Sequence, residues 1–335
     1  MSSPRWSALT FALSLSWAQS AAAFTLETAI TEGCHERITL NALRGAPWPD
    51  GVSPPIASRE DLVLAENLPF LVPAGLDRWS MSVMVGVRDN DLEGYSLSDL
   101  PELAAVHGAI DQSAHCLRSA TQDFDQGDNE ALSACRLFIH HEIDQALGAS
   151  EVPELEPSEE VQVALRFQRQ HVRLSRYAFH MGRALHALQD SYAHSFRAPD
   201  SETVVGVLNY IDAIVSLSFN VSRDGHAHMG ALDECTGSAV AVHRATVATE
   251  SSSALLKAVA AAGSRAERVA RIDAVLDQSL RYTSGCGSQN EWCGAFPETQ
   301  LASPTPAQTQ GCSLAPGGWL LALAALLLRS RRPQH

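Results

Sequence analysis

The sequence predicts a mainly α fold built as one multi-helix domain, and three observations carry that prediction. Apolar residues recur at helical spacing along most of the chain, and convincing strand alternation is nearly absent. Hydrophobic residues make up 45% of the 335 positions, enough to bury a sizeable core. No internal repeat is evident.

Taken in order, residues 25–43 predict a helix that holds His35 and ends near Gly45-Ala46-Pro47. Pro47, Pro49, Pro54 and Pro55 mark a loop. Residues 61–68 form a short helix candidate closed by Pro69. The stretch 80–94 carries Arg88-Asp89-Asn90-Asp91 in a polar, turn-like setting, and 98–107 begins another helix. Leu132, Leu137, Phe138, Ile143 and Leu147 place a helix over 129–147. The strongest apolar pattern runs over 159–196, free of Pro and with Gly182 as its one Gly. Further apolar helices are expected over 204–219, 239–262 and 265–282.

Both ends carry signals. Arg5, the apolar run 6–17 and Ala21-Ala22-Ala23 read as a secretory signal peptide, and cleavage after Ala23 makes Phe24 the new N-terminus. The apolar run is short of the roughly 18–20 residues that span a bilayer. At the other end, Gly311-Cys312-Ser313 and Pro316-Gly317-Gly318 precede an apolar run 319–328 and then Arg329, Arg331 and Arg332. This resembles the Cys-bearing C-terminal sorting signals of myxobacterial surface proteins, in which Cys312 would be processed and lipidated. The competing reading is a single-span tail anchor with its arginines held inside. Either way the folded part is expected outside the cytoplasm, at the cell surface, the outer membrane or beyond. The expected organisation is a signal peptide 1–23, an all-α domain 24–296, a Pro/Thr/Gln-rich tether 297–310 and a sorting or anchor segment 311–335.

The formal charge of -14 disfavours nucleic acid as a partner held through its phosphates. With Cys312 set aside, Cys34, Cys116, Cys135, Cys235, Cys286 and Cys293 remain. An even set in an exported chain reads as disulfides, with Cys116–Cys135 and Cys286–Cys293 as the local pairings. No CxxC pair exists, which discounts zinc held by cysteine.

The chemistry concentrates in Phe179-His180-Met181-Gly182-Arg183-Ala184-Leu185-His186-Ala187-Leu188-Gln189-Asp190-Ser191-Tyr192-Ala193-His194. His186, Asp190 and His194 fall at steps of four, and each step advances only about 40° around a helix, so they line one stripe. Imidazole nitrogen and carboxylate oxygen are the donor set of catalytic zinc. The bland alternative is a solvated helix face, but Leu185, Leu188 and Tyr192 flank the stripe. His180 borders it as a candidate outer partner. His140 with Asp144, and His243 with Glu250, read as ordinary helix-face pairs, while His141 and His171 read as surface or packing residues. No Gly-rich phosphate loop, Ser-centred elbow or Cys/His nucleophile pair stands out.

The run from Phe179 to Phe196 resembles the central helix of the zinc-dependent phospholipases C, where an LH-x-x-x-D core supplies metal ligands. The resemblance implies an all-α domain that gathers two or three zinc ions from separated segments. It assigns ligand roles to Phe24 (through its free amine and carbonyl, where family members carry Trp), His35, Asp91, His115, His186, Asp190 and His194. Asp91 would also be the catalytic base and Asp190 would bridge two ions. Asp89 is the near alternative to Asp91, and His107 to His115. For the third ion the resemblance points to His226 or His228 with Asp233, although His194 follows Asp190 by four and the later pair lacks the family spacing. Cys34 and Cys116 adjoin His35 and His115, so disulfides there would staple ligand segments. The implied activity is phosphodiester hydrolysis by metal-activated water, as a phospholipase C acting on glycerophospholipid at a membrane surface, with the chain expected to be a monomer. A zinc nuclease of the same fold, and a non-catalytic metal-stabilised surface protein, are the alternatives.

Overall fold

Ser175 ends one kind of structure and begins another. In the computed structural model it is the last residue of a β-hairpin, and its side chain accepts from Ala178 N to cap the helix that follows. The structure describes residues 33–46, 48–49, 56–70, 77–96, 98–99, 101–103, 107–123, 126–148, 158–166, 168–198, 201–215, 223–224 and 234–284. The chain divides into two units, Met1–Ser303 and Pro304–His335, and every described residue belongs to the first. The expected signal peptide 1–23, Phe24, His226, His228, Asp233, Cys286, Cys293 and the expected tether and sorting segment lie outside the described residues.

The elements are α1 (Cys34–Gly45), α2 (Arg59–Asn67), α3 (Arg78–Leu92), a 3₁₀ turn (Ser113–His115), α4 (Gln126–Leu147), β1 (Ser158–Ala164) and β2 (Arg169–Ser175). Then come α5 (Arg176–Ala193), β3 (Ser195–Arg197), β4 (Val204–Val207), a π-helical turn (Ile211–Val215), α6 (Ala239–Ala260) and α7 (Arg265–Ser279). The described residues are mostly helical, with two antiparallel two-stranded sheets, so the mainly α class stands. Among them no helix is long and apolar enough to cross a membrane.

Two helix expectations are corrected. Residues 158–175 form a hairpin paired Val161↔Val172 and Val163↔Gln170. The reason is a period of two: Val161, Val163 and Leu174 are buried, while Glu160, Arg169, His171 and Arg173 face solvent. The expected helix over 204–219 begins instead as β4, whose Val204-Val205-Gly206-Val207 is buried throughout and pairs with β3. Three β-branched residues around a Gly favour extended backbone. The polar run Arg88–Asp91 is helix rather than turn, because burial there is matched by partners. Arg88 pairs with Glu36, Asp89 with Arg183, and Asn90 Nδ2 donates to Arg183 O at 3.1 Å.

α5 runs through the middle of the core, with Leu185, Leu188, Met181 and Tyr192 essentially unexposed. Burying each side chain of this size contributes about 1.5–3 kcal/mol. α3 crosses α5 at Gly86 and Gly182, which let the two backbones touch. A Cβ on Gly86 would lie 3.2 Å from Gly182 Cα, and one on Gly182 would lie 2.7 Å from Val87 N. Cys116–Cys135 forms as the sequence suggested and ties the 3₁₀ turn to α4. Cys34 pairs with Cys235 across 201 residues, tying the start of α1 to the approach to α6.

Candidate metal centre

Four segments bring their polar side chains to one buried point. α1 supplies His35, α3 supplies Asp91, the 3₁₀ turn supplies His115, and α5 supplies His186 and Asp190. His194 stands at the C-cap of α5. Asp190 is 0% exposed and sits at the centre. Its Oδ2 lies 2.9 Å from His186 Nε2 and 3.0 Å from His115 Nδ1, and its Oδ1 lies 3.1 Å from His35 Nε2. Asp91 Oδ1 stands 3.7 Å from both His115 Nδ1 and His186 Nε2. The His35 and His186 rings stack, with centroids 4.1 Å apart.

Outer partners decide which nitrogen faces inward. His186 Nδ1 is 2.7 Å from Val87 O, and a carbonyl only accepts, so Nδ1 carries the hydrogen. His35 Nδ1 donates in the same way to Gln189 Oε1 at 2.8 Å. Both rings therefore aim Nε2 at carboxylate oxygen, which also only accepts when ionised. Such contacts are favourable with an extra proton on the ring or a cation between the donors.

Charge follows that geometry. Burial alone would lower the His35 pKa, but the hydrogen bond and charge of Asp190 outweigh it and raise it to about 9. His115 is likewise raised despite burial, by Asp190 and Asp91. Burial pushes Asp190 upward, yet the surrounding imidazoles, His186 and His194 foremost, hold it well below the ordinary carboxylate range. Burial lowers His107, and the neighbouring His115 adds to the effect.

The donor set fits a metal ion. His35, Asp91 and His186, and likewise His115, His186 and Asp190, offer donor atoms within 4.8 Å of one another. A tetrahedral zinc with bonds of about 2.0–2.2 Å spaces its ligand atoms roughly 3.3–3.6 Å apart. The contacts above, from 2.9 to 3.7 Å, bracket that spacing. Asp91 Oδ2 is buried and accepts no hydrogen bond among the described residues.

The remaining sequence candidates fall into clear places. His194 approaches Asp190 Oδ2 at 3.9 Å, and its Nδ1 donates to His115 O at 2.6 Å. Asp89 is not at the centre and pairs with Arg183. His107 Nε2 donates to Asp91 O at 2.7 Å, which supports the backbone of α3 at that residue. His180 lies between Glu142 and Glu159, at 2.6 and 2.9 Å, away from the donor cluster. His140 is corrected: it faces Asp273 at 3.0 Å, and Asp144 pairs with Arg265. Phe24, His226, His228 and Asp233 lie outside the described residues. Sequence reasoning missed Gln189 and the Val87 carbonyl, since neither residue type signals a metal site.

No protein-family model matches the chain, and no curated protein or solved structure is significantly similar to it.

Proposed function

We propose that this chain is an exported zinc-dependent phosphodiester hydrolase of the phospholipase C type, acting on glycerophospholipid. The observation that carries the reading is the buried Asp190 carboxylate faced by His35, His115 and His186, with Asp91 beside it. Zinc bound by such a set lowers the pKa of coordinated water and neutralises charge on a phosphoryl group. Val87 O and Gln189 Oε1 hold His186 and His35 with Nε2 inward. Asp91 turns Oδ1 toward two imidazoles and keeps Oδ2 without a hydrogen bond among the described residues. That second oxygen takes the proton of the attacking water. Water oxygen bonds to phosphorus, the bond to the glycerol oxygen breaks, that oxygen receives the proton held by Asp91, and diacylglycerol and a phosphorylated headgroup leave.

Export is supported by the leader-like N-terminus and by two disulfides among the described residues, which persist in oxidising compartments. The formal charge of -14 favours a small phosphodiester headgroup over a polyanionic nucleic acid.

The test is elemental analysis of chain secreted with its own processed N-terminus, beside Asp190→Ala. Hydrolysis of phosphatidylcholine vesicles and of single-stranded DNA is assayed on the same samples. Two or three zinc ions per chain, lost in the variant, with lipid cleaved faster than DNA, are the expected results. Folded wild type without zinc sinks the reading, and zinc with DNA cleavage alone makes the chain a nuclease.

A further inference from the structure

We propose that Gln189 is a positioning residue of the metal centre: its amide decides which nitrogen of His35 faces Asp190. The inference rests on the metal reading above. Gln189 precedes Asp190 on α5 and is 0% exposed, so its carboxamide must find all its partners inside the protein. It finds them on two other helices. Nε2 donates to Thr39 Oγ1 on α1 at 2.9 Å and to Ser252 Oγ on α6 at 3.4 Å. Oε1 is then the end left for His35, and it stands 2.8 Å from Nδ1.

A carboxamide has one accepting and one donating end, so anchoring one end fixes the other. The hydroxyls of Thr39 and Ser252 hold the amino end, and the oxygen draws the Nδ1 hydrogen of His35. The stack on His186, at an interplanar angle of 20°, fixes the plane of the His35 ring. A stack alone does not choose between the two edges of an imidazole. Gln189 makes that choice and leaves Nε2 toward Asp190 Oδ1 at 3.1 Å. Thr39 lies four residues after His35 on α1, so ligand and anchor share one helix face. Outer partners of this kind orient metal-binding histidines and raise their basicity.

The test uses the full secreted chain and reads zinc affinity by competition with a chromophoric chelator, with circular dichroism to confirm the fold. Gln189→Met keeps the volume and removes the acceptor; zinc affinity is expected to fall roughly 10–100-fold. Gln189→Glu also loses the amide donor but still accepts from His35 Nδ1, and is expected to stay within about threefold of wild type. A Glu carboxylate can still accept from the Thr39 and Ser252 hydroxyls, so the tie is tested apart. A residue that merely ties helices together predicts equal damage in Gln189→Met and in the double variant Thr39→Val/Ser252→Ala, which removes the tie and keeps the acceptor for His35. Equal damage, or wild-type affinity in Gln189→Met, overturns the proposal. If Gln189→Met does not fold, Thr39→Val releases the amide's anchor; a weaker but measurable loss of zinc is expected, and wild-type affinity there overturns it. A wild-type chain that takes up no zinc overturns the metal reading first, and that outcome is separate from either variant result.

Discussion

Asp89 and Asp91 stand two residues apart on α3, and the fold gives them different partners. Asp89 pairs with Arg183, which also reaches Glu142 at 3.1 Å. Asp91 instead turns Oδ1 to His115 and His186. The two substitutions to Asn are therefore expected to separate stability from chemistry. Asp89→Asn weakens a charge-assisted hydrogen bond and should cost about 1–3 kcal/mol in thermal or urea unfolding, with zinc content unchanged. Asp91→Asn should leave the fold near wild type and lower phosphodiester hydrolysis by at least about 10²-fold, the usual contribution of a positioned base. Active Asp91→Asn beside inactive, folded Asp89→Asn would exchange the two roles. In sequence the two acids look alike, because what distinguishes them is Arg183, more than ninety positions away. His186 and Asp190 are different: their step of four on one helix puts them on a common stripe before any tertiary contact is known. Gln189 sits within the same stretch, yet its partners lie 63 to 154 positions away, so nothing local marks it.

At the scale of elements, the centre depends on how closely α3 lies on α5. Gly86 and Gly182 let the backbones touch, and Val87 O, in that contact, accepts from His186 Nδ1. A methyl group at Gly182 would meet Val87 N at 2.7 Å and Gly86 C at 2.9 Å, both backbone atoms that cannot step aside. Gly182→Ala is expected to push α3 outward, cost at least about 1–3 kcal/mol and weaken zinc binding by carrying Val87 and Asp91 off α5. Gly45→Ala is the control, since its added methyl would meet only Ser253 Oγ at an ordinary 3.5 Å. Unchanged zinc affinity in a folded Gly182→Ala would show that the crossing does not set the site. The same stretch shows where periodicity fails as a guide. From 176 onward the 3.6-residue pattern is a helix, but from 158 to 175 Val161, Val163, Val172 and Leu174 alternate and form a hairpin. One Pro-free apolar run conceals the change, because the boundary is the hydroxyl of Ser175 and not a breaker residue. β4 was hidden for a related reason: a short, wholly buried apolar run has no period to read.

At the scale of the whole molecule, the centre couples folding to proton binding and, under the proposed function, to metal binding. In metal-free protein His35 has a pKa raised from 6.5 to about 9, so the stability it contributes is fully present below about 6.5 and is lost as pH rises through about 9. Asp190 has the opposite sign: its pKa is held well below 3.8, so its contribution is present above 3.8 and is lost only as pH falls below that value. Metal-free chain is therefore expected to be most stable between these limits and to lose melting temperature steadily from about pH 6.5 to pH 9. Zinc bound as proposed would take the place of the ring proton, since imidazole ligates only when Nε2 is unprotonated. Binding then releases protons, and affinity should rise with pH by about tenfold per unit for each proton displaced, until His35 is itself neutral. The stabilisation a ligand confers on the native state grows with its affinity. The melting temperature of zinc-loaded chain should thus stay level or rise over the range in which chelator-treated chain declines, and the gap between them should widen. Cys34–Cys235 and Cys116–Cys135 hold the segments of His35 and His115 in both forms, so the comparison is made with disulfides intact. Parallel curves for the two forms would mean that proton and metal do not compete for the same nitrogen, and that the charge on His35 is compensated elsewhere.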